Sequence, residues 1–346
     1  MKVTTMTKRY HVYGLGAALV NTEINITDAD LAAMAVKKGA MTIVDEARQK
    51  HLLDHFARQS LHLKRASGGS TANTLTAIAQ FGGRTFYSCK VGGDDNGQFY
   101  LNDLQAAGVD CHAGKHHNEG ITGTCLVMIT PDAERTLNTF LGVSETLSQD
   151  DLVPEAIAVS DYVYFEAYSV ISSTTRAAVI RTREIAEQNG VKTVLSFSDA
   201  GVVTHFRNDL QEILGKCVDL LFCNRLEALS WGQTDNLEIA IDSLKQIART
   251  FAITLGAEGA LVYDGAQLYN IAPCKVQAVD TDGAGDMFAG AFLFGITQGK
   301  DFPPAGKLAS LAAAAVVADY GPRLTRTKQQ EILAHWIQMN SCHDRF

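Results

Sequence analysis

Hydrophobic positions along the chain follow two alternating patterns. Short apolar runs rich in β-branched and aromatic residues are followed by longer stretches in which apolar residues recur every three or four positions. The short runs predict strands at 11–14, 85–91, 161–165, 192–196, 220–223 and 251–255. The longer stretches predict helices at 173–189, 235–249, 283–299, 305–320 and 328–339. This alternation is typical of a doubly wound, mostly parallel sheet with helices on both faces.

Two segments interrupt the alternation, residues 23–64 and 111–141. The second contains a strand-like run at 122–130, in which apolar and polar residues alternate. Because connections of this length usually have a function, we interpret the two segments as one lid subdomain over the carboxyl edge of the sheet. Ordinary surface decoration is the alternative. The large α/β domain then comprises residues 1–22, 65–110 and 142–346.

Composition excludes several classes of function. The chain has 346 residues, and 30 Lys and Arg against 38 Asp and Glu give a formal charge of −8, which argues against nucleic-acid binding. No apolar run is long enough to cross a membrane, and the polar N-terminus lacks the apolar stretch of a signal peptide, so we expect a cytoplasmic protein without a membrane partner. Seven cysteines without a CxxC pair predict neither a zinc site nor a disulfide framework.

The run DTDGAGD, from Asp280 to Asp286, opens one of the predicted helices. Gly283, Ala284 and Gly285 leave backbone N–H groups free at the helix start, where the helix dipole adds partial positive charge and favours a phosphate. Asp286 in the first turn can accept the proton of an attacking hydroxyl. The motif would then supply a base and an anion hole together. A plain helix start with a favourable acidic residue is the alternative.

Two further motifs follow predicted strands. Asn224 and Glu227 come directly after the run at 220–223, where ligands of open α/β sheets collect and where oxygen groups suit a Mg²⁺–phosphate complex. The same pair could simply cap a helix. Thr254 precedes Gly256 and Gly259, whose freedom allows the backbone to approach a flat ligand such as a nucleotide or to form a hairpin turn.

A glycine pair near the N-terminus belongs to the run SGGSTAN. Gly68 and Gly69 are followed by the polar residues Ser70, Thr71 and Asn73, ahead of a helical pattern at 74–80. Paired glycines and polar side chains can hold the hydroxyl groups of a sugar. Capping of the helix by Ser70 or Thr71 is the alternative.

Taken in their order along the chain, these motifs are similar to those of the ribokinase-like (PfkB) family of carbohydrate and nucleoside kinases. The similarity extends from about Tyr10 to Arg326, with DTDGAGD as its most specific match, and the run GGSTAN resembles adenosine kinases more than ribokinase. The resemblance implies a three-layer α/β core with a small β-rich lid. It also implies an enzyme that transfers the γ-phosphate of ATP to a primary hydroxyl of a small sugar or nucleoside, with an adenosine-like substrate favoured.

The resemblance assigns roles to individual residues around the phosphates. Asp286 resembles the catalytic base, with residues 283–285 as the anion hole. Asn224 and Glu227 resemble a pair that acts on magnesium through water. Thr254, Gly256 and Gly259 would line the ATP site.

Three more roles come from the same resemblance. Arg135 resembles a lid arginine that reaches the transferred phosphate, and a solvated surface arginine is the alternative. Asp280 and the backbone near Gly321 match the position where several family members bind a monovalent cation such as K⁺. Gly68, Gly69 and Asn73 would contact the substrate. Members of the family include monomers and homodimers, and the sequence does not choose between them.

One turn departs from the family pattern. The family usually carries G-N-x-x-x-D after the first strand, and here Ala17 and Asn21 replace the amide and the carboxylate. Asn21 therefore stands where an aspartate would hold two sugar hydroxyls, so the sequence leaves the substrate open. A non-catalytic nucleotide or sugar sensor on the same scaffold is one alternative. A dinucleotide-dependent oxidoreductase is another, because Gly14 and Gly16 follow the first strand, although Leu19 replaces the third glycine of that fingerprint.

Overall fold

The computed structural model describes residues 9–39, 41–57, 64–113, 120–132 and 134–341. Strands are numbered along the described chain as β1 (Tyr10–Leu15), β2 (Leu19–Asn25), β3 (Met41–Ile43), β4 (Lys64–Gly68), β5 (Thr85–Ser88), β6 (Val109–His112), β7 (Gly123–Ile129), β8 (Arg135–Phe140), β9 (Ser160–Glu166), β10 (Lys192–Ser196), β11 (Val218–Asn224), β12 (Ala248–Thr254), β13 (Ala260–Tyr263) and β14 (Leu268–Ile271). Helices are α1 (Asp28–Ala33), α2 (Glu46–Ala57), α3 (Ser70–Phe81), α4 (Asp95–Ala107), α5 (Pro154–Ala158), α6 (Ser173–Gln188), α7 (Ala200–His205), α8 (Arg207–Leu214), α9 (Arg225–Gly232), α10 (Leu237–Leu244), α11 (Ala284–Thr297), α12 (Phe302–Val317) and α13 (Arg326–Ser341).

The larger of two sheets in the described chain has nine strands in the order β14-β13-β12-β11-β10-β9-β1-β5-β6. Neighbours from β6 to β12 run parallel, and β13 and β14 add two antiparallel pairings at one edge. From β1 the sheet continues to β5 on one side and to β9 on the other. At such a switch point the loops after the strands diverge and leave a crevice at the carboxyl edge.

Helices cover both faces of this sheet, which therefore carries apolar side chains on both. Along β9, Tyr164 packs in a core with α3, α4, α11, α12 and α13. Val163 and Phe165 point to the opposite face and pack in a second core with α5 to α10. The alternation follows from the two-residue repeat of a strand. These three layers confirm the predicted doubly wound, mostly parallel α/β fold.

The smaller sheet has five strands in the described chain, in the order β3-β8-β7-β2-β4. We call it the lid sheet. One face is closed by α1 and α2, where Ile24 and Leu126 pack with Leu52 and Phe56 in a separate core. The lid sheet includes β2 from Leu19 and β4 to Gly68, so its strands extend beyond the predicted limits of the lid at 23 and 64. The division of the chain into a large domain and a lid stays a prediction.

Several predicted element bounds differ from the structure, three of them with a consequence for the interpretation. The helix predicted at 235–249 ends at Leu244, because Ala248 already pairs with Val218 in the sheet. The strand predicted at 85–91 ends at Ser88. Helix α3 begins at Ser70 with Gly69 as its N-cap and no side-chain cap, so the predicted alternative of capping by Ser70 or Thr71 is wrong. In the described part of the chain, no helix combines the length and apolar character needed to cross a membrane.

Candidate active site

A cavity of about 600 Å³ opens between the carboxyl edge of the large sheet and the lid sheet. Residues at or just beyond the ends of β1, β9, β10, β11 and β12 line it: Ala17, Glu166, Ser196, Asn224 and Thr254. This is the crevice that the switch point beside β1 creates. The start of α11 closes the cavity on one side and contributes Gly283, Ala284, Gly285 and Asp286 to its wall.

Helix α11 begins inside the cavity. Its N-cap Gly283 has a φ of 70° and provides no side-chain cap. A Cβ atom at Gly283 would also collide with the backbone of Pro322, so the turn requires glycine for both reasons. The first N–H groups of a helix have no partner within it. The predicted anion hole at 283–285 therefore faces the cavity, where it can receive a phosphate.

Asp286 lies half-buried in the wall of the cavity. The hydroxyl of Ser70 donates to its Oδ1 at 2.6 Å, and Nδ2 of Asn73 donates to its Oδ2 at 2.9 Å. Burial raises the pKa of Asp286 to about 6, although these two hydrogen bonds act in the opposite direction. A carboxyl group with this pKa is mostly ionised at neutral pH and can still accept a proton.

Ser70 and Asn73 reach Asp286 because of the two glycines that precede them. Gly69 has a φ of 94°, and a Cβ atom there would collide with the carbonyl oxygen of Ala17. A Cβ atom at Gly68 would collide with the side chain of Asn21. The pair thus lets the start of α3 pass close to the turn between β1 and β2.

Asn21 is 6% exposed and lines the cavity from β2 of the lid sheet. Within the described residues its side chain makes no hydrogen bond and rests against Gly68. Because Asn21 lines the cavity, its amide can bond to a ligand or to water there. Asn21, Gly69 and Asn73 all line the cavity, whereas Gly68 acts by making room for Asn21.

Asn224 and Glu227 form a reciprocal cap at the start of α9. Asn224 Oδ1 accepts the Glu227 N–H at 2.9 Å, and Glu227 Oε2 accepts the Asn224 N–H at 2.8 Å. The helix-cap alternative is therefore observed. Glu227 is nevertheless part of the cavity wall, and burial raises its pKa to about 7. One residue thus fixes the helix and presents an acidic group to the cavity.

The glycines after β12 divide between two roles. Thr254 and Gly256 line the cavity, as predicted for a nucleotide site. Gly259 is outside the cavity lining, at the end of a 3-10 turn spanning Gly256–Glu258. Its φ is 96°, and a Cβ atom there would collide with the carbonyl oxygen of Ile271. Gly259 therefore serves the turn and the close approach of β14.

Arg135 does not point into the cavity in this structure. It forms ion pairs with Asp280 and, through Nη1, with Asp282 Oδ2 at 3.0 Å, and its side chain is 9% exposed. The alternative of a solvated surface arginine is therefore wrong. Asp280 Oδ1 accepts the Asp282 N–H at 2.9 Å. Asp280 Oδ2, the oxygen that meets Arg135, also accepts the Gly321 N–H at 2.8 Å.

These contacts correct the predicted monovalent-cation site. Oδ1 of Asp280 accepts the Asp282 N–H, and Oδ2 accepts the Gly321 N–H and meets the guanidinium of Arg135. The guanidinium of Arg135 supplies the positive charge beside Asp280. The residues present therefore do not fit K⁺ at this position.

Comparison with known proteins decides the family. Residues 33–329 match the sequence profile of the pfkB family carbohydrate kinases. The chain belongs to this family. It is therefore a phosphotransferase whose acceptor is an alcohol group, which is inconsistent with the oxidoreductase alternative.

Relatives within the pfkB family act on both sugars and nucleosides by name. Adenosine kinase from Sinorhizobium meliloti is 32% identical with a TM-score of 0.86, over 93% of this chain and 99% of that one. A probable sugar kinase from Rhizobium etli CFN 42 is 31% identical with a TM-score of 0.87, over 95% of this chain and 100% of that one. Adenosine kinase from Saccharomyces cerevisiae is 27% identical over 327 residues, 89% of this chain and 95% of the yeast protein.

Sequence analysis missed two residues of this pfkB-family site. Ser70, considered above only as a helix cap, bonds to Asp286. Glu166 lines the cavity at the end of β9 and accepts hydrogen bonds from the Thr71 N–H at 2.7 Å and the Thr71 hydroxyl at 3.0 Å. Burial raises the pKa of Glu166 to about 7. Its signal in the sequence was an acidic residue directly after a predicted strand, the same signal that drew attention to Asn224.

Proposed function

We propose that this chain is an ATP-dependent kinase that phosphorylates the primary hydroxyl of a nucleoside, with an adenosine-like nucleoside as the favoured substrate. The observation that carries the proposal is the position of Asp286. Its carboxyl group lies in the cavity wall, in the first turn of a helix whose N-terminus faces the same cavity. A base and an anion-binding helix start are thus brought to one place, as phosphoryl transfer requires.

The lid sheet favours a nucleoside over a free sugar. Five apolar side chains of this sheet line the cavity: Leu19, Met41, Ile43, Cys125 and Leu137. An apolar wall suits the face of an aromatic base, whereas a sugar with hydroxyls on all sides needs polar partners. Asn21 lies in the same wall and offers hydrogen bonds to ribose hydroxyls. The adenosine kinases among the relatives agree with this interpretation.

In the proposed reaction, the primary hydroxyl lies between Asp286 and the γ-phosphate. The hydroxyl proton passes to the Asp286 carboxylate while its oxygen bonds to the γ-phosphorus. The bond from that phosphorus to the oxygen bridging the β- and γ-phosphates breaks, and ADP leaves with the electron pair. The N–H groups at the start of α11 stabilise charge on the transferred group.

Magnesium fits the acidic wall of the cavity. Mg²⁺ keeps several waters in proteins and takes one or two carboxylates together with substrate phosphates. Glu227 can meet a hydrated ion from α9, and the described residues include no group of three or more acidic, histidine or cysteine side chains that would hold a metal by themselves. When bound with ATP, the ion neutralises phosphate charge. Glu227 would hold the hydrated ion through the waters of the ion.

An acceptor panel tests the proposal. We expect the purified protein to transfer phosphate from ATP to adenosine faster than to ribose or other sugars, with the product phosphorylated on the 5′ oxygen. The matched Asp286→Asn variant should transfer at least about 10²-fold more slowly, the low end for loss of a positioned base, and bind ATP equally well.

Two results of the panel would contradict the proposal. Faster transfer to a free sugar would show that the substrate class is wrong. Binding of ATP and nucleoside without transfer to any acceptor would support the sensor alternative.

A further inference from the structure

Side-chain contacts connect Asp286 to an arginine outside the cavity lining. Arg323, in the loop between α12 and α13, donates from Nε to Asn73 Oδ1 at 2.8 Å and from Nη1 to Asp103 Oδ2 at 2.7 Å. Asn73 in turn donates from Nδ2 to Asp286 Oδ2 at 2.9 Å. Asp103 lies on α4, Asn73 on α3 and Asp286 on α11, so four separate segments meet in this series.

The orientation of the Asn73 amide depends on Arg323. A guanidinium group carries five donors and no acceptor, so it can bond to the oxygen end of an amide and not to the NH₂ end. If the Asn73 amide were rotated by half a turn, its NH₂ group would face Arg323 and its oxygen would face the Asp286 carboxylate. Both contacts would then be repulsive. Arg323 therefore selects the orientation in which Asn73 donates to Asp286.

We propose that Arg323 is a positioning residue for phosphoryl transfer, which fixes the Asn73 amide so that its NH₂ group holds the carboxylate of Asp286 in place. This inference rests on the proposed function to the extent that Asp286 is the base. Arg323 itself is absent from the residues that line the cavity, so it acts through Asn73.

The surroundings of Arg323 support a fixed geometry. Its side chain is 15% exposed, in contrast to the surface pairs that contribute little to structure. Asp103 binds one arm of the guanidinium fork, and this second contact leaves Nε directed at Asn73. The positive charge of Arg323 also lowers the pKa of Asp286, against the larger effect of burial.

Several other groups act on the same carboxyl and must be considered in any titration. They come from the loop before α11, from β9 and the turn after it, and from α9: Asp282, Tyr164, Glu166, Tyr168 and Glu227. Ionised, each of them would raise the pKa of Asp286, because like charges disfavour ionisation. Arg323 has the opposite effect, as have the hydrogen bonds from Ser70 and Asn73, and it favours the carboxylate.

The test is the pKa of Asp286, measured by ¹³C NMR on protein labelled at aspartate carboxyl carbons, with Asp286→Asn identifying the signal. We expect Arg323→Gln to raise this pKa by about one unit, the equivalent of a tenfold change for one weakened bond to a charged group. In an Asn73→Ala background, Arg323→Gln should raise the pKa of Asp286 by clearly less. An equal shift in both backgrounds would overturn the proposal, because Arg323 would then act as a remote charge.

Two further variants keep the test decisive. Arg323→Lys retains the charge, but one ammonium group cannot reproduce the fork toward Asn73 and Asp103. We expect a smaller but measurable rise in the pKa of Asp286, and an unchanged value would contradict the proposal even if Arg323→Gln does not fold.

Arg183→Gln is the matched control, since Arg183 is 14% exposed and bonds to carbonyls at the end of α8, at the opposite edge of the sheet. Arg183→Gln should leave the pKa of Asp286 unchanged. A shift of that pKa in the control would also count against a specific role of Arg323.

Kinetics complete the comparison. Arg323→Gln should lower kcat at neutral pH by at least about twofold, the loss of ionised Asp286 that a one-unit rise from about 6 gives, and leave KM for ATP unchanged, because the contact affects the base and not the nucleotide site. The NMR titration needs no turnover. A protein that transfers phosphate to no acceptor would therefore disprove the proposed function while the role of Arg323 was still measured.

Discussion

Asp286 is held by neighbours that serve it in different ways. Ser70 and Asn73 each donate one hydrogen bond to it, which fixes the direction of its two oxygens. Burial has the opposite effect on ionisation and raises its pKa to about 6. The balance leaves the group ionised near neutral pH but more basic than an aspartate in water, which is what a general base requires.

The rate should therefore depend on pH near this value. Protonated Asp286 cannot accept the hydroxyl proton, so kcat/KM should fall as the pH decreases through about 6. The measurement is the rate at low substrate between pH 5 and 8. Asp286→Asn is the control, and its residual rate should lose this dependence. A rate that stays level from pH 8 down to pH 5 would be inconsistent with Asp286 as the base.

At the scale of elements, two glycines at the start of α11 serve different purposes. Gly283 adopts a positive φ, and a side chain there would collide with Pro322, whereas a Cβ atom at Gly285 would meet no atom within 4 Å. Gly283 is thus required by the fold. Gly285 borders open space, where the proposed phosphate would lie.

Alanine substitutions should distinguish these two requirements. Gly283→Ala should lower the free energy of unfolding by at least about 1–2 kcal/mol, the cost of a left-handed residue that is not glycine. Gly285→Ala should leave thermal stability unchanged or slightly higher and still reduce kcat/KM by at least about tenfold, because its methyl group enters the phosphate position. Calorimetry and initial rates on both variants check this. Loss of stability in Gly285→Ala, or a fully active enzyme, would contradict it.

The cap of α9 makes a second prediction at this scale. Glu227 accepts hydrogen bonds from the Asn224 N–H and from Asn224 Nδ2, and glutamine can keep the first of them as the third residue of a capping box. Glu227→Gln should therefore retain the helix and remove an acidic group from the cavity. We expect a several-fold increase in the Mg²⁺ concentration needed for half-maximal rate, with the unfolding temperature only slightly lower because one hydrogen bond from Asn224 is lost. An identical Mg²⁺ titration for the variant and the unaltered protein would exclude a role of Glu227 at the metal.

The sequence predicted elements and motifs better than it predicted contacts. Asp286 was placed correctly in the first turn of a helix, since the glycine run and the apolar pattern are both local. The bond from Ser70 to Asp286 joins residues 216 positions apart, and that from Arg323 to Asn73 spans 250 positions. No local pattern encodes such distances. The helix predicted at 235–249 was too long for a similar reason, because its end is decided by pairing with β11.

At the scale of the whole molecule, Arg135 links the two sheets. It belongs to β8 of the lid sheet and pairs with Asp280 and Asp282, in the loop before α11. The positive charge beside the start of α11 thus comes from the protein. The lid sheet contributes it together with the apolar wall of the cavity.

Activity should therefore not require a monovalent cation. We expect the same kcat in K⁺, in Na⁺ and in tetramethylammonium salts of equal ionic strength. Arg135→Gln should create a dependence on K⁺, because it leaves the Asp280 carboxylate without its cationic partner. The measurement is the initial rate of both proteins in the three salts. A requirement of the unaltered enzyme for K⁺ would show that Arg135 does not fill the cation's place.

The contact between Asn21 and Gly68 also constrains how this site can change over evolutionary time. The Asn21 side chain fills the volume that a side chain at Gly68 would need. A side chain at 68 thus requires the Asn21 side chain to leave its place in the cavity wall, whereas exchange of Asn21 for Asp, which has the same size, needs no such shift. Lineages should therefore be able to alter the charge at this point of the cavity wall in one step, while a change at Gly68 also disturbs Asn21.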